Sequence, residues 1–68
     1  MTNQKLAMDR FLQSRINHVK DGGMWLWPDI GESYVIKGGC FYAQTWQGYK
    51  ALKRIAPKSW HSRIFSNK

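Results

Sequence analysis

A glycine turn joins two strand-like runs in the middle of the chain. Gly38 and Gly39 follow the run Ser-Tyr-Val-Ile-Lys and precede the run Cys-Phe-Tyr-Ala. Both positions accept a positive φ, which suits the primed turn of a tight β-hairpin. A two-residue turn predicts the cross-strand pairs Lys37–Cys40, Ile36–Phe41, Val35–Tyr42 and Tyr34–Ala43. Because paired residues share a sheet face, we expect one core face, made of Tyr34, Ile36, Phe41 and Ala43.

Two apolar segments precede the hairpin. A helix over residues 1–20, capped by Thr2 or Asn3, would carry one apolar stripe, which we expect in the core: Met8, Phe11, Leu12, Ile16 and Val19. The apolar run 24–27 is too short for a helix and stops at Pro28, so it predicts a strand. Alternation places Trp25 and Trp27 on one face and Met24 and Leu26 on the other, with both faces partly covered.

A second helix is predicted over residues 46–56, where Pro57 ends it. At about 100° per residue, the side expected to pack on the sheet holds Tyr49, Leu52, Ile55 and Ala56. The opposite side holds Trp46, Lys50, Lys53 and Arg54. An indole and three cations are therefore expected to face outward together.

Residues 57–68 form a basic, aromatic tail. Trp60 and Ile64 are four residues apart, which allows a short C-terminal helix. The elements together predict a single small α+β domain ordered α-β-β-β-α, in which helices pack on a three-stranded antiparallel sheet over residues 24–45. A chain of 68 residues has a small core, which its aromatic residues or assembly into a homo-oligomer would reinforce.

Charge is distributed unevenly along the chain. Residues 1–32 hold equal numbers of basic and acidic side chains, whereas residues 33–68 contain no acid, so the net charge of +7 falls on the second half. Such asymmetry is typical of proteins that bind polyanions. A merely solubilising surface is the alternative interpretation.

The sequence offers no chemistry for an enzyme. His18 lies on the first helix, His61 in the tail and Cys40 on a strand, so nothing predicts a nucleophile with its base. No Cys/His grouping has the spacing of a metal site, and no cofactor motif is present, since Gly38-Gly39 leads into a strand. The single cysteine and the lack of a leader or membrane-spanning run favour the cytoplasm. We therefore expect neither catalysis nor a bound metal or cofactor.

The basic, aromatic second half predicts a nucleic-acid-binding surface. Lysine and arginine neutralise phosphates, and aromatic rings stack on unpaired bases. The candidate residues are Lys37, Trp46, Lys50, Lys53, Arg54, Lys58, Trp60, His61 and Arg63. This pattern does not distinguish DNA from RNA. A small, basic, non-catalytic chain of this kind suits a phage or mobile-element accessory factor.

The hairpin and the helix after it resemble part of the small winged-helix proteins of the phage excisionase and MerR-like kind. Gly38-Gly39, Tyr42 and the segment Ala-Leu-Lys-Arg-Ile at 51–55 carry this resemblance. It implies a DNA-bending accessory factor in which Lys37 enters the minor groove.

The main alternative is a protein partner. Tryptophan, tyrosine and arginine dominate interface hot spots, so the same residues suit a small inhibitor of a host enzyme or an anti-defence factor. Phosphate binding weakens steeply with salt, whereas an interface anchored by buried tryptophans weakens less. A membrane surface is disfavoured, because neither helix pairs a large apolar face with a lysine-rich one.

Overall fold

The computed structural model describes residues 3–66, so the proposed cap Thr2 lies outside the described residues. The elements of this part of the chain are α1 (Asn3–His18), β1 (Gly23–Trp27), β2 (Glu32–Lys37), β3 (Cys40–Ala43), α2 (Trp46–Ile55), a 3₁₀ helix (Lys58–Arg63) and β4 (Ile64–Ser66). The α+β class is confirmed. Helix α2 ends one residue before the predicted boundary, since Ala56 is its C-cap ahead of Pro57.

Strands β2 and β3 form the hairpin predicted from the two glycines. All four expected pairs, from Tyr34–Ala43 to Lys37–Cys40, are present. Gly38 and Gly39 have φ values of 61° and 73°, the left-handed conformations that a primed turn requires. The predicted core face is confirmed, because all four of its side chains are buried.

The sheet has four strands and is mixed, which corrects the expected three-stranded antiparallel sheet. Strands β1, β2 and β3 are antiparallel neighbours, and β4 pairs with β3 in parallel, Phe41 beside Ile64 and Tyr42 beside Phe65. A parallel neighbour requires a long crossover, which α2 and the 3₁₀ helix supply. The fourth strand forms because Ile64, 2% exposed, completes the core beside Phe41.

The hydrophobic core lies on one face of the sheet. Both helices and the 3₁₀ helix contribute to it, through Leu12, Leu52 and Trp60. Met8, Phe11 and Ile16 of α1 are partly buried against the core, as predicted, and so is Val19, although α1 ends at His18 and not at the predicted residue 20. Trp25 and Trp27 also point into it, and the Phe11 ring lies 5.6 and 5.1 Å from theirs, centroid to centroid. All three helical elements thus cover the same face.

No helix of residues 3–66 covers the opposite face, here called the outer sheet face. By strand alternation it carries Met24, Leu26, Ser33, Val35, Lys37, Cys40, Tyr42, Gln44 and Phe65. Met24 and Leu26 are 58% and 57% exposed, so the expectation that both faces of β1 are partly covered is wrong. The reason is that both helices pack on the tryptophan side.

Candidate nucleic-acid interface

Thr45 and Tyr34 fix how α2 lies on the sheet. The Thr45 hydroxyl accepts a hydrogen bond from the Gly48 backbone N–H at 2.9 Å and donates one to Glu32 Oε1 at 2.6 Å. From the core, the Tyr34 hydroxyl donates to the Gly48 carbonyl oxygen at 2.9 Å. These contacts hold the first turn of α2 in one rotation about its axis, with Leu52 directed inward.

That rotation leaves a line of exposed residues on α2. Trp46, Lys50 and Arg54, here called the α2 stripe, are four residues apart and therefore lie one above another on successive turns. Trp46 is 53% exposed, and Lys50 and Arg54 are also exposed. The helix contains no acidic residue, so nothing within α2 neutralises these cations.

Lys53 and Tyr49 flank the α2 stripe. The Lys53 ammonium donates to the Tyr49 hydroxyl at 3.2 Å and lies 5.3 Å from the centroid of that ring. The Trp46 ring stacks on the same tyrosine, with centroids 4.9 Å apart and planes 21° apart. Tyr49 thus orders both an indole and a cation at the rim of this surface.

Ile55 departs from the expected packing. The buried residues on this side of α2 and its C-cap are Gly48, Leu52 and Ala56. Ile55 is 39% exposed and does not join the core. It lines a groove of about 790 Å³ with Met8 and Phe11 of α1, beside Trp27, Asp29 and Arg54.

The residues predicted in the tail are mostly engaged in the fold. Trp60 is 2% exposed and its indole N–H donates to Asp9, so its ring is not available to stack on a ligand. The Arg63 guanidinium lies 4.1 Å from the Trp60 ring centroid and donates to the Gly39 carbonyl oxygen at 2.9 Å. His61 donates to the Ala56 carbonyl oxygen at 3.2 Å. Among these candidates, Lys58 is exposed.

Lys37 lies apart from the α2 stripe, on the outer sheet face. The candidate residues are therefore divided among α2, the 3₁₀ helix and the outer sheet face. The outer sheet face lies on the opposite side of the sheet from the two helices. Sequence reasoning missed two aromatic residues on the same face as Lys37, namely Tyr42 and Phe65, whose rings stack with centroids 5.4 Å apart. The predicted register already placed Tyr42 on the face of Lys37, but Phe65 joins it only through β4.

Residues 3–66 contain neither a metal-binding cluster nor a membrane-crossing helix. No group of three or more His, Cys, Asp or Glu side chains there could hold a metal ion. Within the same range, no helix is both long and apolar enough to cross a bilayer.

The fold differs from the winged-helix arrangement implied by the resemblance of the hairpin. A helix-turn-helix has two helices, whereas in the described part of the chain α1 alone precedes the hairpin, which belongs to a four-stranded sheet. The placement of Lys37 in a minor groove therefore has no support from the architecture. No family model, curated protein or solved structure matches this chain.

Proposed function

We propose that this protein binds nucleic acid, without catalysing a reaction, and that the α2 stripe contacts the phosphate backbone. One observation carries the proposal: Trp46, Lys50 and Arg54 stand exposed in line on a helix that lacks acids. This helix belongs to the half of the chain that holds the net charge of +7. Lysine and arginine gain affinity for phosphates by releasing counterions, and arginine can bind a phosphate through two parallel hydrogen bonds.

Trp46 gives the same surface a way to contact bases. Its ring is exposed and is held against Tyr49, so little side-chain freedom is lost when a base stacks on it. Lys53 lies beside the Tyr49 ring, and Lys58 extends the basic surface beyond the end of α2. The proposed contacts are thus electrostatic along the helix and aromatic at its first turn.

A protein partner is the second candidate, and the groove between α1 and α2 favours it. Apolar side chains of Met8, Phe11, Trp27 and Ile55 line this groove next to Arg54. An inhibitor could use such a groove together with Trp46, because tryptophan and arginine are common interface anchors.

The double variant Lys50→Ala/Arg54→Ala tests the nucleic-acid proposal. We expect it to bind at least tenfold more weakly, because two phosphate contacts are lost. The slope of log K against log salt should fall in magnitude by about 1.4 to 1.8. Fluorescence anisotropy with labelled single-stranded DNA, duplex DNA and RNA, at roughly 50 and 200 mM salt, measures both quantities.

The matched control is Arg10→Ala/Lys20→Ala, which removes the same charge from exposed positions elsewhere. Equal weakening by both double variants would mean that net charge, and not the α2 stripe, governs binding. Absence of binding to all three nucleic acids at low salt would overturn the proposal and favour the protein partner.

A further inference from the structure

A row of apolar side chains crosses the outer sheet face. Strand pairing aligns Met24, Val35, Tyr42 and Phe65 from one edge of the sheet to the other. Phe65 is 41% exposed, and its ring stacks on that of Tyr42 with the planes 24° apart. Since Phe65 on β4 covers one face of the Tyr42 ring, the other face is turned toward β2.

A depression lies on that β2 side of Tyr42. It has a volume of about 460 Å³ and is lined by Val35, Lys37, Gly38 and Tyr42. This volume falls within the range of roughly 300 to 1,000 Å³ typical of small-molecule sites. A tyrosine and a lysine side chain therefore border one space. A planar base can extend the Tyr42–Phe65 stack there while its phosphate reaches Lys37.

Charge favours a polyanion over a second copy of the chain on this face. The residues of the outer sheet face include Lys37 but no carboxylate. Asp21 lies at the hairpin end of the sheet, where its Oδ1 accepts a hydrogen bond from the Gly38 N–H at 2.8 Å. A second copy packed face to face would bring another net charge of +7, and its outer sheet face holds no carboxylate that could pair with Lys37.

We propose that the outer sheet face binds unpaired nucleobases, so that single-stranded nucleic acid is the preferred ligand. Tyr42 and Phe65 form the stacking platform, and Lys37 contacts a phosphate. The inference rests on the proposed function, since it specifies which nucleic acid is bound. In a duplex both faces of each base are covered by its neighbours, so only an unpaired strand can use this platform.

Replacing Tyr42 by leucine tests this inference. We expect Tyr42→Leu to bind labelled single-stranded DNA or RNA of mixed sequence about fivefold or more weakly than the wild type, because one stacking partner is lost. Affinity for the matching duplex should not change, because its bases are already stacked on their neighbours and cannot use the Tyr42 ring. Tyr42→Phe keeps the ring and should bind like the wild type. Phe65→Leu, at an exposed edge position, should weaken single-strand binding as well, and circular dichroism melts check that each variant folds.

Three results would overturn the inference. If Tyr42→Leu and Phe65→Leu bind single strands like the wild type while Lys50→Ala/Arg54→Ala binds weakly, the outer sheet face is not a base platform and the proposed function stands. If the wild type binds no nucleic acid at low salt, both proposals fail. If sedimentation velocity shows a dimer that Leu26→Asp dissociates, the outer sheet face is an interface between copies.

Discussion

Replacing Trp60 by alanine is expected to lower the free energy of unfolding by about 3 to 5 kcal/mol, the usual cost of deleting a buried aromatic ring. Trp60 is 2% exposed, and its ring lies 5.7 Å from that of Phe41. The substitution also removes the indole hydrogen bond to Asp9 and the surface on which Arg63 rests. Small domains are stable by only about 5 to 15 kcal/mol, so this loss is a large fraction of the total. Urea denaturation followed by circular dichroism measures it.

Trp46→Ala is the matched control, because it deletes the same side chain from an exposed site. We expect it to cost less than about 1 kcal/mol, as surface substitutions usually do. If Trp60→Ala does not fold, Trp60→Phe retains a ring in the core and should still unfold at a lower urea concentration than the wild type. Equal stabilities for Trp60→Ala and Trp46→Ala would show that residues 58–66 do not complete the core.

The local parts of this fold could be predicted because short-range rules determine them. Two adjacent glycines set the turn, and the two-residue period then determines which hairpin side chains face the core. Strand β4 follows no such rule. It has three residues, pairs in parallel after a long crossover, and is held by Ile64 in a core made largely by other elements. A strand this short, and this far along the chain from the strand with which it pairs, gives no periodic pattern in the sequence.

The part of the candidate site that lies on a single helix could likewise be predicted, and the rest could not. Helical periodicity alone brings Trp46, Lys50 and Arg54 together, because all three lie on one helix. A tryptophan and an arginine such as Trp60 and Arg63 are residue types that often bind nucleic acid. The same indole and guanidinium groups can also form a structural cation–π contact, and this is the contact that they form here. Burial decides between these roles, and burial depends on the complete fold. The outer sheet face was missed as a site for the same reason, since the sequence does not show that the Met24 and Leu26 side of β1 is uncovered or that β4 adds Phe65 to this face.

Stability is expected to fall as the pH rises from 10 to 12, because of Tyr34. Burial of its hydroxyl and, to a smaller extent, the nearby Glu32 carboxylate raise the pKa of Tyr34 from 10.0 to about 12. In this interval the unfolded chain has released the phenolic proton while the folded protein retains it, so the unfolded state binds fewer protons and stability decreases with pH. The contribution is fully present below pH 10. The gap between the two pKa values corresponds to a loss of roughly 3 kcal/mol.

Tyr34→Phe isolates this effect from the other groups that titrate in the same range. The variant loses the hydrogen bond to the Gly48 carbonyl oxygen, so at neutral pH it should be less stable by about 1 to 2 kcal/mol. It also lacks the titrating hydroxyl. Between pH 10 and 12 its unfolding free energy should therefore decline less than that of the wild type, and the stability advantage of the wild type should disappear. Urea denaturation at a series of pH values measures both curves. Parallel curves throughout that interval would contradict the raised pKa, and with it the burial of the Tyr34 hydroxyl beneath α2 on which the placement of the α2 stripe depends.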